Sequence, residues 1–288
     1  MISKIIGKEY LIEKHLDDGA TSNVYLVKSI QKGTTFAAKV FLSHTDFFDK
    51  EVEILKSLSL QKHPGIINLY SYGDEPIIKN GIPEKENKQY IIIDYLPNND
   101  LFAYVKESNG LDEGKAKLIF YKILKAVEHC NKCGICHRDL KLDNILLDKN
   151  NNPILCDFGY SNFINESQKF SDYVGTVSYA SPEILRRTPY DGIKSDIFSL
   201  GVILFCMIFC KFGFSEARKS DHLYRLIYRK NYENYWASIG EKIGNEKINN
   251  VSKEFKSLYC KMVAYNPDER PSIEQILNDD WMKDVEKE

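Results

Sequence analysis

Apolar and polar positions alternate in twos from Tyr10 to Leu16 and again from Asn23 to Val27, with Gly19 and small residues between. That is the pattern of two strands joined by a turn. A turn of small residues suits a loop whose backbone N–H groups point inward at phosphates. Phe36 to Val40 reads as a short strand carrying one lysine, Lys39, in apolar company. From Asp46 to Leu60 the period lengthens, and Val52, Leu55 and Leu58 fall on one helical face. His63-Pro64-Gly65 ends that helix and a further strand begins towards Leu69. Gly73 to Lys88, polar, with two prolines and a Lys/Glu run, is expected as a solvated loop, longer than hairpin connections usually are. Tyr90 to Leu96 reads as a buried strand that Pro97-Asn98-Asn99 breaks.

Beyond that break the helical period dominates. Asp112 is placed to cap a helix reaching about Lys132, with Ala116, Ile119, Phe120, Ile123, Val127 and Cys130 on one face and Gly134 as its stop. The longest apolar run, Gly201 to Cys210, is about half a membrane span and fits a buried helix, begun near Ser195. The last helices are expected to end at Trp281, and no second domain, repeat or regulatory tail is expected in the seven residues that follow. The expected class is α+β: a small lobe over 10–96 with an antiparallel sheet and one helix, a larger, mainly helical lobe over 97–282, and a short tail over 283–288.

Composition changes this picture little. The chain has 288 residues, 43% of them hydrophobic and 12% aromatic, enough for a packed core and against disorder. A net charge of −2 gives no basic field, so neither nucleic acid nor membrane is expected as a partner. Seven cysteines and an N-terminus unlike a signal peptide point to a reduced, cytoplasmic setting, with the nucleus left open. Met1-Ile2-Ser3 lacks the glycine that N-myristoylation needs. Cys130, Cys133, Cys136 and His137 have zinc-like spacing but are read as structural thiols at a helix end.

The chemistry is concentrated between Cys136 and Gly159. His137-Arg138-Asp139 is followed by Lys141 and Asn144, and Asp157-Phe158-Gly159 begins thirteen residues after Asn144. Two apolar runs, Ile145 to Leu147 and Ile154 to Cys156, flank the turn-rich stretch Asp148 to Pro153 and read as paired strands. Such a hairpin would bring Asp139, Asn144 and Asp157 to one end, where Asn144 and Asp157 supply the oxygen ligands that Mg²⁺ takes. Asp139 is left as a carboxylate with no metal duty.

Taken in order, these stretches resemble the eukaryotic protein kinase domain over almost the whole chain, which implies the bilobal kinase fold. Lys141, two residues after Asp139, is the serine/threonine form, and Thr176 before Tyr179 agrees. The resemblance implies transfer of the ATP γ-phosphoryl group to protein serine or threonine, with Mg²⁺, or Mn²⁺ in its place, as the cofactor ion. Asp139 would then orient the substrate hydroxyl and take its proton, while Lys141 neutralises the moving group. Asn144 and Asp157 would hold metal. Lys39 would hold the α- and β-phosphates and pair with Glu51, preferred over Glu53. The nucleotide would lie among Leu16, Asp17, Gly19, Ser22, Val24, Ala37 and Leu146, with Ile93 behind the base and Asp94 and Leu96 bonding it through their backbone. Asp100 is placed for ribose or a basic substrate side chain.

The glycine-rich loop departs from the family pattern. Asp17 stands at the first glycine position and Ser22 at the third, and only Gly19 is kept. A carboxylate beside a triphosphate repels it, which puts nucleotide affinity in question and supports a pseudokinase scaffold as the competing reading. Ser181 replaces the alanine of Ala-Pro-Glu, and Glu183 should pair with Arg270. Asp196 is expected to accept hydrogen bonds from the catalytic-loop backbone. Leu55, Leu69, His137 and Phe158 match the stacked regulatory spine. Arg138 normally meets a phosphorylated residue four positions before the threonine at 176; here that position is already acidic, Asp172, beside Ser171 and Tyr173 as further modifiable positions. The group most resembled is that of the calcium/calmodulin-dependent and AMP-activated kinases. It implies protein substrates with a basic residue upstream, read by Asp100 and Asp143, and only mildly because Cys206 stands where basic-directed kinases carry glutamate. The chain has no EF-hand loop for calcium.

Overall fold

The computed structural model describes residues 4–165, 169–283 and 285. The expectation on Met1-Ile2-Ser3, part of the polar stretch after Gly159 and most of the expected tail lie outside the described residues. The chain divides into two units after Pro97.

In the first unit the alternating stretches become antiparallel strands: β1 (Lys4–Ile6), β2 (Tyr10–Asp18), β3 (Ser22–Ser29), β4 (Thr35–Phe41), β5 (Leu69–Lys79) and β6 (Ile82–Asp94). They close in the order β1-β2-β3-β4-β6-β5. Helix α1 (Asp46–Leu60) has the predicted bounds, with Thr45 as its N-cap and Phe48, Val52, Leu55 and Leu58 on its buried face. The sheet encloses a core of Ile6, Tyr10, Val27, Ala38, Val40, Tyr90 and Ile92. The β3–β4 register sets Val24 opposite Lys39, and β4–β6 sets Ala37 opposite Ile93. Side chains alternate between faces along a strand, so Val24, Ala37, Lys39 and Ile93 share one face.

One expectation is overturned here. Gly73 to Lys88 is no solvated loop; it is the outer part of the β5–β6 hairpin, paired from Gly73↔Tyr90 to Lys79↔Ile82. The connection is Asn80-Gly81, with φ of 51° and 82°. Positive φ at both central residues defines the hairpin turn that asparagine and glycine favour. The polar side chains misled because this part of β6 is exposed on both faces, so the strands carry no apolar alternation. Ile77 of β5 packs against the core, and the rest of the outer pairing rests on backbone hydrogen bonds and turn geometry.

The second unit is mainly helical. Helix α2 (Leu101–Glu107) precedes α3 (Glu113–Lys132), whose N-cap is the predicted Asp112, accepting from Lys115 N. Short strands follow: β7 (Ile135–Cys136), β8 (Ile145–Leu147), β9 (Pro153–Leu155) and β10 (Asn162–Phe163). β8 pairs with β9, as read from the sequence, and β10 with β7. Then come α4 (Pro182–Leu185), α5 (Gly192–Phe209), α6 (His222–Tyr228), α7 (Tyr232–Ile243), α8 (Asn245–Asn249), α9 (Lys253–Met262) and α10 (Ile273–Leu277). Helix α5 starts one turn earlier than expected, because Asp191 caps it by accepting from Ile193 and Lys194 N–H. It is long and apolar enough to cross a membrane by length and composition, yet 89% of it is buried in the protein. Phe205, Phe209, Trp236, Phe255 and Tyr259 stack around its C-terminal half, with centroids 4.6–6.5 Å apart. All seven cysteines are free thiols.

Candidate active site

Residues 137–144 run from the end of β7 into a turn before β8, and their course is set from behind by Asp196 of α5. Its carboxylate accepts from the backbone N–H of His137 at 2.7 Å and of Arg138 at 2.8 Å. Burial pushes that carboxyl up to about 6, against the pull of His137 and the two N–H donors. Arg138 has φ of 65°, a left-handed backbone uncommon for a long side chain. The bend at Arg138 directs the next residue, Asp139, into a polar cluster.

Asp139 is 5% exposed and surrounded by donors. Its Oδ1 accepts from Thr176 Oγ1 at 2.9 Å, and Oδ2 accepts from Asn144 Nδ2 at 3.1 Å. Lys141 Nζ is 3.2 Å from Oδ2 and donates to Thr176 Oγ1 at 3.3 Å. Gly175, with φ of 92°, lets the segment after it come this close, since a Cβ there would lie 2.7 Å from the Arg138 carbonyl oxygen. Burial works to lower the Lys141 pKa, but the carboxylates of Asp139, Asp157 and Asp143 outweigh it and hold the ammonium above its ordinary value. Lys141 is thus a firmly charged cation amid three acids.

Asn144 also donates Nδ2 to the Asp139 carbonyl oxygen at 2.9 Å, so both its bonds leave through nitrogen. That orientation presents the amide oxygen as its ligating atom. Asp157 is exposed, with φ of 57°. An amide oxygen and a carboxylate are hard donors, and they fit Mg²⁺. Among the described residues no cluster of three or more His, Cys, Asp or Glu could hold a metal. Leu146 is bridged antiparallel to Asp100. The Asp100 carboxylate has a duty the sequence did not suggest: Oδ1 accepts from Ala103 N at 2.7 Å and caps α2.

In the first unit Lys39 Nζ lies 2.8 Å from both oxygens of Glu51. Glu51 is 3% exposed, whereas Glu53 is exposed. The loop before β3 is a tight turn in which Gly19 N donates to Ser22 O at 2.8 Å. Ser22 is buried; Asp17 is exposed and its Oδ1 accepts from Asp18 N at 2.9 Å. Leu16 falls in the bulge between His15 and Asp17. Leu96 follows β6. Asp94 ends β6, and its side chain is engaged as well: it accepts from Asn68 N, Asn68 Nδ2 and Tyr70 Oη at 2.7–2.9 Å.

Three pairings foreseen in the sequence are present, and the first two anchor the segment after Gly159. Arg138 Nη1 lies 2.7 and 2.8 Å from the Asp172 oxygens, its guanidinium stacks 4.5 Å over Phe170, and Nε donates to Tyr160 O. Arg270 meets Glu183 through two bonds of 2.6 and 2.7 Å. His137 and Phe158 lie with ring centroids 5.0 Å apart, and both are buried. The sequence reading missed the Thr176 hydroxyl as a partner of Asp139 and the Tyr190 hydroxyl, 3.3 Å from Arg138 Nη1. Thr176 had been singled out only as a type marker.

The second unit thus holds a buried acid with its flanking lysine and amide, and the first unit holds a lysine–glutamate pair. The family described as protein kinase domain matches residues 10–282, and the chain belongs to that family. Similar proteins include the mouse NUAK family SNF1-like kinase 1, 34% identical over 98% of this chain and 38% of its own length. The human SNF-related serine/threonine-protein kinase is 32% identical, over 98% and 34%. Mouse sperm motility kinase 3A is 27% identical, over 95% and 50%. The chain thus spans half or less of the length of these three relatives.

Proposed function

We propose that this chain is a serine/threonine protein kinase that uses ATP and a divalent metal. The observation that carries the reading is the Asp139 cluster. Asn144, Lys141 and Thr176 hold both oxygens of its carboxylate, which fixes an ionised acid beside a firmly charged lysine. In the reaction the substrate oxygen forms a bond to the γ-phosphorus, the bond from that phosphorus to the bridging oxygen breaks, and ADP leaves. Asp139 orients the hydroxyl and takes its proton. Lys141 neutralises the moving phosphoryl, and Lys39, held by Glu51, takes the α- and β-phosphates. Asp157 and Asn144 would hold Mg²⁺, or Mn²⁺ in its place, which supplies charge neutralisation on the phosphates.

Asp172 occupies the anion position beside Arg138, so the segment is ordered without phosphorylation. The competing reading, a scaffold with weak nucleotide binding, draws on Asp17 and on the Gly19 N–H already spent on Ser22. Radiolabelled phosphotransfer to a protein substrate, run with a thermal shift on adding Mg·ATP, separates them. The wild-type chain should gain stability with Mg·ATP and transfer label, and Lys39→Met should lose both. Asp139→Asn should lower turnover by about 10²–10⁴-fold in protein that is still folded by its melting curve. Undiminished turnover in Asp139→Asn would remove the assignment.

A further inference from the structure

A cavity of about 400 Å³ in the second unit is lined by Ser178, Lys211, Phe212, Phe214, Ser215 and Lys242. Its floor is aromatic: Phe214 is buried and Phe212 half-buried, with the Phe212 ring 5.3 Å from that of Tyr179. Its rim is cationic. Lys211 and Lys242 are exposed, Lys242 Nζ reaches the Phe212 carbonyl at 3.5 Å, and among the described residues neither lysine makes an ion pair. No acid lines the cavity. A lone surface lysine is normally just solvated. Two unpaired lysines on one concave, aromatic-floored site concentrate positive potential there.

The cavity lies close to the Asp139 cluster. Ser178 is two residues from Thr176, whose hydroxyl touches Asp139, and two residues of chain span at most about 7 Å. An extended peptide with its acceptor hydroxyl at Asp139 advances about 3.3 Å per residue. A side chain some two to five residues from the acceptor therefore reaches the lysine rim. We propose that Lys211 and Lys242 select an acidic residue, aspartate or glutamate, at that distance in the substrate. Charge complementarity argues for the occupant, and Ser178 supports it by placing no carboxylate in the way. The site adds to Asp143, exposed two residues after Lys141, which is free to meet a basic residue elsewhere on the same peptide. The proposal deepens the kinase reading and rests on it.

The test uses the 288-residue chain and a positional peptide library with one acceptor serine. Wild type should favour Asp/Glu over Ala by about fivefold at one position two to five residues from the acceptor, the size expected of exposed ion pairs. Lys211→Glu/Lys242→Glu should abolish or invert that preference, leaving the KM for ATP and turnover of an acid-free peptide unchanged. The preference should also weaken with added salt. Equal acid preference in both proteins, or a preference for Arg, Lys or apolar residues at that position, would overturn the proposal. Fluorescence anisotropy of a labelled acidic peptide gives a readout that needs no turnover: tighter binding than its neutral counterpart, lost in the double variant, supports the site even if phosphotransfer fails. Equal binding of the two peptides would count against the site whatever the enzyme does.

Discussion

Arg270 and Glu183 meet through two nitrogens and two oxygens with 0% and 4% of their side chains exposed, whereas Arg138 meets Asp172 through Nη1 alone and the aspartate is 49% exposed. Both arginines are buried, and both pairs hold the same segment. Arg270 also donates to the carbonyls of Ala264 and Lys194, so every side of its guanidinium is tied to the helical unit. Arg138 is tied by Tyr160 and Phe170, but its charge partner faces water. The first pair has no way to dissociate without leaving a buried charge. The second can exchange its carboxylate for solvent, or for a stronger anion, at little cost to the fold. One pair is thus a fixed anchor and the other an adjustable one.

Removing the carboxylate at the closed end should have the largest effect. Glu183→Ala leaves Arg270 buried and unpaired, a loss of about 3–5 kcal/mol that should lower the melting temperature by roughly 10 °C. A drop of only one or two degrees would make the two pairs equivalent. Asp172→Ala should behave in the opposite way. The stability loss should be smaller than for Glu183→Ala because water can enter the vacated aspartate position beside Arg138, while activity falls about tenfold as the segment loses its order. Phosphatase treatment of wild type should leave activity intact; if it abolishes activity, a phosphate and not Asp172 is the working partner of Arg138. Acid titration sharpens the contrast further. Burial alone would raise the Glu183 carboxyl, but the hydrogen bonds and charge of Arg270 hold it below the ordinary 4.5. A depressed carboxyl contributes stability above its unfolded value and loses it as pH falls through the folded one. The stability advantage of wild type over Glu183→Gln should therefore be constant near neutrality and shrink below about pH 4.5 in chemical denaturation curves.

What the sequence disclosed follows the physics of each feature. Helix α1 and the cap at Asp112 were legible because apolar period and capping chemistry are local. Both arginine pairs were legible because each partner sits in a motif with a fixed relation to another motif. The β5–β6 hairpin was hidden because the outer part of β6 is exposed on both faces, and Asn80-Gly81 marked its turn. The Thr176–Asp139 bond was hidden for another reason: it joins residues 37 apart, and hydroxyl contacts leave no periodic trace. The side-chain bonds of Asp94 and the cap formed by Asp100 were hidden because such carboxylate contacts leave no pattern in the sequence.

Helix α5 has a consequence during synthesis. Its eighteen residues carry a mean hydropathy of 1.8, and the aromatic residues of α7 and α9 that cover it are encoded later in the chain. A ribosome adding about 5–20 residues per second needs roughly 3–10 s to pass from Phe209 to the end of α9 at Met262. Throughout that interval the emerging chain displays a segment with the length and apolarity of a membrane anchor. Cellular yield of this protein should thus depend on a chaperone that shields residues 192–209 until α9 arrives.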